Sequence, residues 1–209
     1  SASDAVAAAR AVQSGTPLAY ALCRPPGHHA SRDLFGGYCY FNNAALAAAV
    51  FGGKVAIVDI DFHHGNGTQD MFYESGRVLY ASIHGDPAVY YPYFSGYAHE
   101  RGEGEGAGAT LNLPLPKGCD GQEYLRVLDR DLLPELRAFA PDVLILSTGV
   151  DTYVDDPVGA FTLTTEDFHA VGARFASLGL PTVAVQEGGY ATAALGANVR
   201  AVLLGLQEG

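Results

Sequence analysis

Apolar residues in this chain recur in two alternating periods, and the alternation predicts the fold. Short runs that are apolar on both faces lie at 18–23, 54–60, 77–83, 143–147 and 182–186, and read as buried strands. Between them, stretches with helical spacing are predicted at 3–13, from Asn42 or Asn43 to about Phe51, at 68–73, at 120–139, after Thr164-Thr165-Glu166-Asp167, and up to about Leu206. A shorter segment, 110–115, precedes the helix at 120–139. Residues 85–109 form a long loop whose first half is aromatic (Tyr90, Tyr91, Tyr93, Phe94, Tyr97) and whose second half is rich in Gly and Glu. Fully apolar strands alternating with helices predict an α/β fold of three layers, a mainly parallel sheet with helices on both faces. Neither a repeat nor a linker interrupts it, so residues 1–209 read as a single domain. In such sheets ligands bind at the carboxyl ends of the strands.

Composition narrows the class. Forty-eight per cent of the 209 residues are hydrophobic, enough for a substantial core. Twelve Lys and Arg against 23 Asp and Glu give a net charge of −11, which disfavours a nucleic-acid backbone as partner and attracts small cations. Cys23, Cys39 and Cys119 are odd in number and widely spaced, as expected in a reducing compartment rather than in a disulfide framework. The apolar runs fall short of a membrane span and no secretion signal is visible, so the expected location is the cytoplasm.

The polar residues that close the apolar runs carry the chemistry. VAIVDIDFHHGNG (55–67) ends in Asp59, Asp61, His63 and His64. Strand alternation puts Asp59, Asp61 and His63 on one face, where buried oxygen and imidazole donors are costly unless they hold a metal; the bland alternative is an acidic helix-capping loop. His64 faces away, in a structural role. Catalytic zinc takes three protein ligands and keeps a position open for water. Asp151, just past VLILSTGV, is the candidate third ligand; Asp155 and Asp156 compete but sit beside Pro157 as turn residues. His28 and His29 follow the rigid turn Pro25-Pro26-Gly27, and Asp59 can orient one of these imidazoles. His84 closes another run. Gly188-Gly189 can bring the Tyr190 phenol to the metal to stabilise an oxyanion.

RPPGHHA, GGYCYFNNAA, VDIDFHHGNGTQD, SIHGDP, LSTGVD with its downstream DP, and EGGY together resemble, in order, the motif series of the histone deacetylase superfamily, over about residues 20–206. HGDPAVYYPYFSGYA makes the chain most similar to the acetylpolyamine amidohydrolase branch. The resemblance implies an arginase-like or deacetylase-like α/β fold and a Zn²⁺-dependent amide hydrolase, with Fe²⁺ as an alternative ion. It implies Asp61, His63 and Asp151 as metal ligands. His29 becomes the general base and acid, His28 with Asp59 the electrostatic support, and Tyr190 the oxyanion donor. Tyr38 and Phe94 would flank the substrate's aliphatic chain, with Gly37, Gly188 and Gly189 lining its site. Asp59, Asp61, His63, Ser82 and Ile83 would hold a structural K⁺ or Na⁺, with Phe72, Ser75 and Val78 part of a second such site. Asn66 stands where some relatives have Asp beside the second histidine, which should leave that imidazole less basic.

The implied substrate is a small cationic acetylated amine, with protein acetyl-lysine as the runner-up; relatives are often homodimers, and neither nucleic acid nor membrane is an expected partner. A binuclear manganese ureohydrolase shares the fold, but His63 is followed by His64 and Gly65 rather than by a further bridging carboxylate. A non-catalytic binding module is the third reading. Family members carry a substantial segment ahead of the tandem histidines, so early strands and acidic residues that meet the substrate ammonium are expected to lie outside this sequence.

Overall fold

The structure, a computed structural model, describes residues 1–208. Six strands form one sheet in the order β1-β6-β5-β2-β3-β4. They are β1 (Leu18–Ala21), β2 (Val55–Asp59), β3 (Val78–Gly85), β4 (Thr110–Leu115), β5 (Val143–Thr148) and β6 (Thr182–Gln186), and every pairing is parallel. The predicted runs are found within one to three residues, and the segment 110–115 is a strand on the sheet edge.

Side-chain alternation divides the interior into two cores. Val55, Ile57, Val143, Ile145, Val183 and Val185 pack on one face with Ala5, Ala9 and Val12 of α1 (Ala2–Gln13) and Ala44, Ala47 and Ala48 of α2 (Asn43–Ala48). Their neighbours Ala56, Val58, Leu144, Leu146 and Ala184 pack on the other face, against α4 (Gly121–Val127), α5 (Leu133–Phe139), α6 (Thr165–Ala176) and α7 (Thr192–Leu206). Both faces of the sheet are therefore covered, as continuous apolar strands require. The short helix α3 (Asn66–Phe72) follows β2.

Local signals set the helix starts. Asn42 caps α2 by accepting from the Ala45 N–H at 2.9 Å, and Thr164 with Asp167 forms a capping box on α6. The predicted helix 120–139 is continuous in direction but contains a π-helical turn, Leu128–Leu132, between α4 and α5. Apolar periodicity places the helix without revealing that turn.

Strand order reverses between β2 and β5: β3 and β4 continue on one side of β2, and β6 and β1 lie beyond β5. The segments leaving β2 and β5 therefore diverge at a crevice, the place where open parallel sheets receive ligands.

Candidate active site

Asp61 and His63, just past β2, meet Asp151, just past β5, at that crevice. One ligand atom from each of the three lies within 4.8 Å of the others. His63 Nδ1 is 2.9 Å from Asp151 Oδ2 and 3.3 Å from Asp61 Oδ1. Backbone N–H groups fix both carboxylates: Phe62 donates to Asp151 Oδ1 at 2.8 Å, while His63 and Gly188 donate to Asp61 Oδ1 and Oδ2 at 2.9 and 2.8 Å. Gly188 is required for this approach, because a Cβ there would lie 2.6 Å from Asp61 Oδ2.

Both carboxylates are buried, and among the described residues no Lys or Arg pairs with them. Burial pushes Asp151 up to about 7, helped by the neighbouring charge of Asp61. Burial works against the charge of Asp61 too, yet His28 and His63 hold it well below the usual carboxylate range. The two carboxylates push His63 up to about 10 against the effect of its own burial. Two buried carboxylates and one imidazole thus stabilise positive charge at a single point, and this donor set fits a divalent cation of borderline character.

The tandem histidines enter from the loop after β1. Both are buried, with ring centroids 4.0 Å apart. His28 Nδ1 lies 2.9 Å from Asp59 Oδ2, and Asp61 and Asp59 raise it well above the ordinary imidazole range despite burial. His29 Nδ1 lies 2.8 Å from Asn66 Oδ1. An amide oxygen only accepts, so this Nδ1 carries the proton and Nε2 is left as the basic atom. Burial, then the charge on His28, lowers His29 well below the ordinary range. The imidazoles therefore differ by environment, one held charged and one held neutral.

Tyr190 lies beyond β6. Burial, with Asp61 and Asp151 nearby, raises its phenol and keeps it a proton donor. Its ring centroid is 6.2 Å from that of Tyr38, which is 70% exposed and has a left-handed backbone, φ 67°. Phe94 is exposed on the aromatic loop. Gly37, at φ 52°, sits so close to the His29 ring that a Cβ would collide with it, and Gly189 has φ 139°. For the expected monovalent sites, Asp59 and Ser82 are register partners across β2 and β3, Ile83 follows Ser82, and the Ser75 N–H donates to the Phe72 carbonyl at 2.9 Å three residues before Val78.

Some polar residues lie elsewhere than the strand-end pattern suggests. His84 does not join the crevice: it lies 2.8 Å from Ser82 Oγ and 2.9 Å from the Gly96 carbonyl, with its ring 4.7 Å from that of His64. His84 and His64 instead belong to the base of the aromatic loop, and His64 lies 3.1 Å from Gln69 Oε1. Asp156 does occupy a turn, as expected from Pro157, accepting from the Val158 N–H, but its other oxygen reaches the Tyr190 N–H at 2.7 Å.

For two residues that the motifs already include, Tyr91 of the aromatic loop and Glu187 of EGGY, the sequence does not reveal the partners. Tyr91 stands edge-on to His29 and His63, at 4.8 and 6.5 Å between centroids, closer to the imidazoles than its position among many tyrosines suggests. Glu187 accepts from the Gly27 and His28 N–H groups at 2.7 and 3.1 Å and so ties the tandem-histidine loop to β6; burial pushes it up to about 7. The sequence marks Glu187 as a polar residue closing the 182–186 run and opening EGGY, but not the backbone N–H groups it holds.

Residues 1–206 match the family described as the histone deacetylase domain. Acetylpolyamine amidohydrolase 1 of Pseudomonas aeruginosa is 51% identical over 211 residues, covering 99% of this chain and 61% of that protein. The acetylpolyamine amidohydrolase of Mycoplana ramosa is 47% identical, covering 97% of this chain and 60% of that one. The crystal structure of acetylpolyamine aminohydrolase from Burkholderia pseudomallei superposes with a TM-score of 0.95 at 51% identity, over 98% of this chain and 60% of that one. The chain thus spans about three fifths of the length of these relatives. With its parallel sheet, crevice and motif series in agreement with that match, the chain belongs to the histone deacetylase domain family.

Proposed function

We propose that this chain provides the catalytic centre of a metal-dependent deacetylase acting on acetylated polyamines or similar small acetylated amines. The observation that carries the reading is the convergence of Asp61, His63 and Asp151 beside two buried histidines, His28 facing the Asp59 carboxylate and His29 the Asn66 amide. The substrate class comes from the relatives named acetylpolyamine amidohydrolases, at 47–51% identity, and the net charge of −11 suits a polycation.

Asp61, His63 and Asp151 would hold Zn²⁺, with Fe²⁺ as the alternative. When bound, such an ion polarises an acyl oxygen and acidifies water. The remaining work falls to the protein. Nε2 of His29, neutral and free to accept, takes the proton of the attacking water and returns it to the departing amine nitrogen. His28, held charged by Asp59, keeps its neighbour neutral at rest and offsets the negative charge that develops on the substrate. The protonated Tyr190 phenol donates to the oxyanion. Tyr38, Phe94 and Tyr91 would wall the aliphatic chain, with Gly37, Gly188 and Gly189 permitting its close approach. Asp59, Asp61, His63, Ser82 and Ile83, and separately Phe72, Ser75 and Val78, would bind structural K⁺ or Na⁺, fastening the ends of β2 and β3.

The test is acetate release in a side-by-side assay of acetylputrescine, acetylspermidine and an acetyl-lysine peptide. The small amines should give the higher kcat/KM, and His29→Ala and Tyr190→Phe should each lower kcat at least ~100-fold. Preference for the peptide overturns the substrate class, and near wild-type turnover by either variant overturns the assigned role.

A further inference from the structure

Asp156 is buried in the loop between β5 and α6, and its side chain is spent entirely on backbone N–H groups. Oδ1 accepts from Val158 and Gly159 at 2.9 and 3.3 Å, within its own loop. Oδ2 accepts from Tyr190 at 2.7 Å and from Ala191 at 3.0 Å, across to the segment beyond β6. One carboxylate thus joins two loops that are far apart in sequence.

The joint falls where the chain needs one. Tyr190 follows Gly188 and Gly189, the second at φ 139°, so the backbone that delivers the phenol runs through a conformation that only glycine adopts readily. The Asp156 loop, by contrast, is braced: Val154 N–H donates to the Leu163 carbonyl at 2.9 Å, and Leu163 N–H to the Thr152 carbonyl at 3.2 Å. The same loop begins at Asp151, one of the three converging donors.

We propose that Asp156 is a positioning residue for Tyr190, fixing the phenol relative to Asp151 by clamping the Tyr190 and Ala191 N–H groups to the β5 loop. The proposal rests on the assignment of Tyr190 as the oxyanion donor. Asp156 does not touch substrate; it acts through the backbone of the tyrosine. A donor must sit at hydrogen-bond distance from the charge that forms, and displacement by about 1 Å costs on the order of 10²-fold in rate.

A double-mutant cycle on the full-length protein separates positioning from general support of the fold. Asp156→Asn replaces one acceptor oxygen by an NH₂ group, and should lower kcat by about 10- to 100-fold while KM moves less than about threefold. In a Tyr190→Phe background, which lacks the phenolic donor, the same substitution should cost less than about threefold, because nothing remains to be positioned. Asp156→Glu keeps the carboxylate but displaces it by a methylene, and carries the same cycle if the amide variant does not fold. Asp155→Asn, at the exposed neighbour, should leave kcat unchanged. Equal losses for the Asp156 substitution in both backgrounds, or wild-type kcat for Asp156→Asn, overturn the proposal. Full activity of Tyr190→Phe alone overturns the underlying assignment instead, so the two failures are distinct.

Discussion

At the scale of single residues, the site works by giving similar side chains different surroundings. His28 and His29 are adjacent and both buried, yet one faces a carboxylate and the other an amide, 2.9 and 2.8 Å away. That contrast makes Asn66 a place where chemistry can be tuned without touching the reacting atoms. In Asn66→Asp, an anion would replace the amide beside His29 Nδ1. A negative neighbour favours the charged imidazole, so the lowered pKa of His29 must rise. If His29 acts as a base it must be neutral in the free enzyme, and the acidic limb of the kcat/KM profile should move to higher pH. An unmoved limb would show that the titrating group is not His29.

At the scale of elements, the aromatic loop is held from beneath by a polar cluster. Glu100 Oε2 accepts from the Gly96 and Tyr97 N–H groups at 2.8 and 3.1 Å and from Gln69 Nε2 at 2.8 Å, and Asn112 Nδ2 adds a longer bond at 3.3 Å. This cluster connects α3 and β4 to the loop that carries Tyr91 over the histidines. Replacing Glu100 by Ala removes a charged acceptor from several donors at once, at a cost of about 2 kcal/mol. Proteolysis within residues 90–100 should accelerate well before the rest of the chain is cut, and KM should rise more than kcat falls. Unchanged cleavage would mean that the loop is fixed by its ring contacts instead. The sequence makes the strands, the helices and the polar residues at the strand ends legible because these follow from local periodicity. It under-reads β4, whose Asn112 and Pro114 break the apolar run; a sheet edge tolerates a proline, since no further strand needs the N–H that it lacks. It cannot supply the clamps made by Glu187, Glu100 and Asp156, whose main-chain partners are chosen by tertiary packing. His84 marks the converse error: its strand-end position resembles that of the site residues, while its hydrogen bonds lead to the aromatic loop.

At the scale of the whole molecule, strand order puts the donors from β2 and β5 at the reversal point of the sheet, and the chain carries a surplus of acidic residues. If the substrate is cationic as proposed, a net charge of −11 attracts it before any contact is made. Such attraction is felt over a Debye length, about 30 Å at 0.01 M salt and about 8 Å at 0.15 M. For an acetylated polyamine that retains two or more ammonium groups, raising NaCl across this range should lower kcat/KM several-fold, with most of the change in KM. A neutral acetylated amide of similar size should show little response, because steering requires charge on both partners. Both substrates share the chemical step, so their ratio isolates the field from any effect of salt on the catalytic groups. A ratio that stays constant across the salt series would remove net charge from the account of recognition and leave any preference for the polycation to contacts within the pocket.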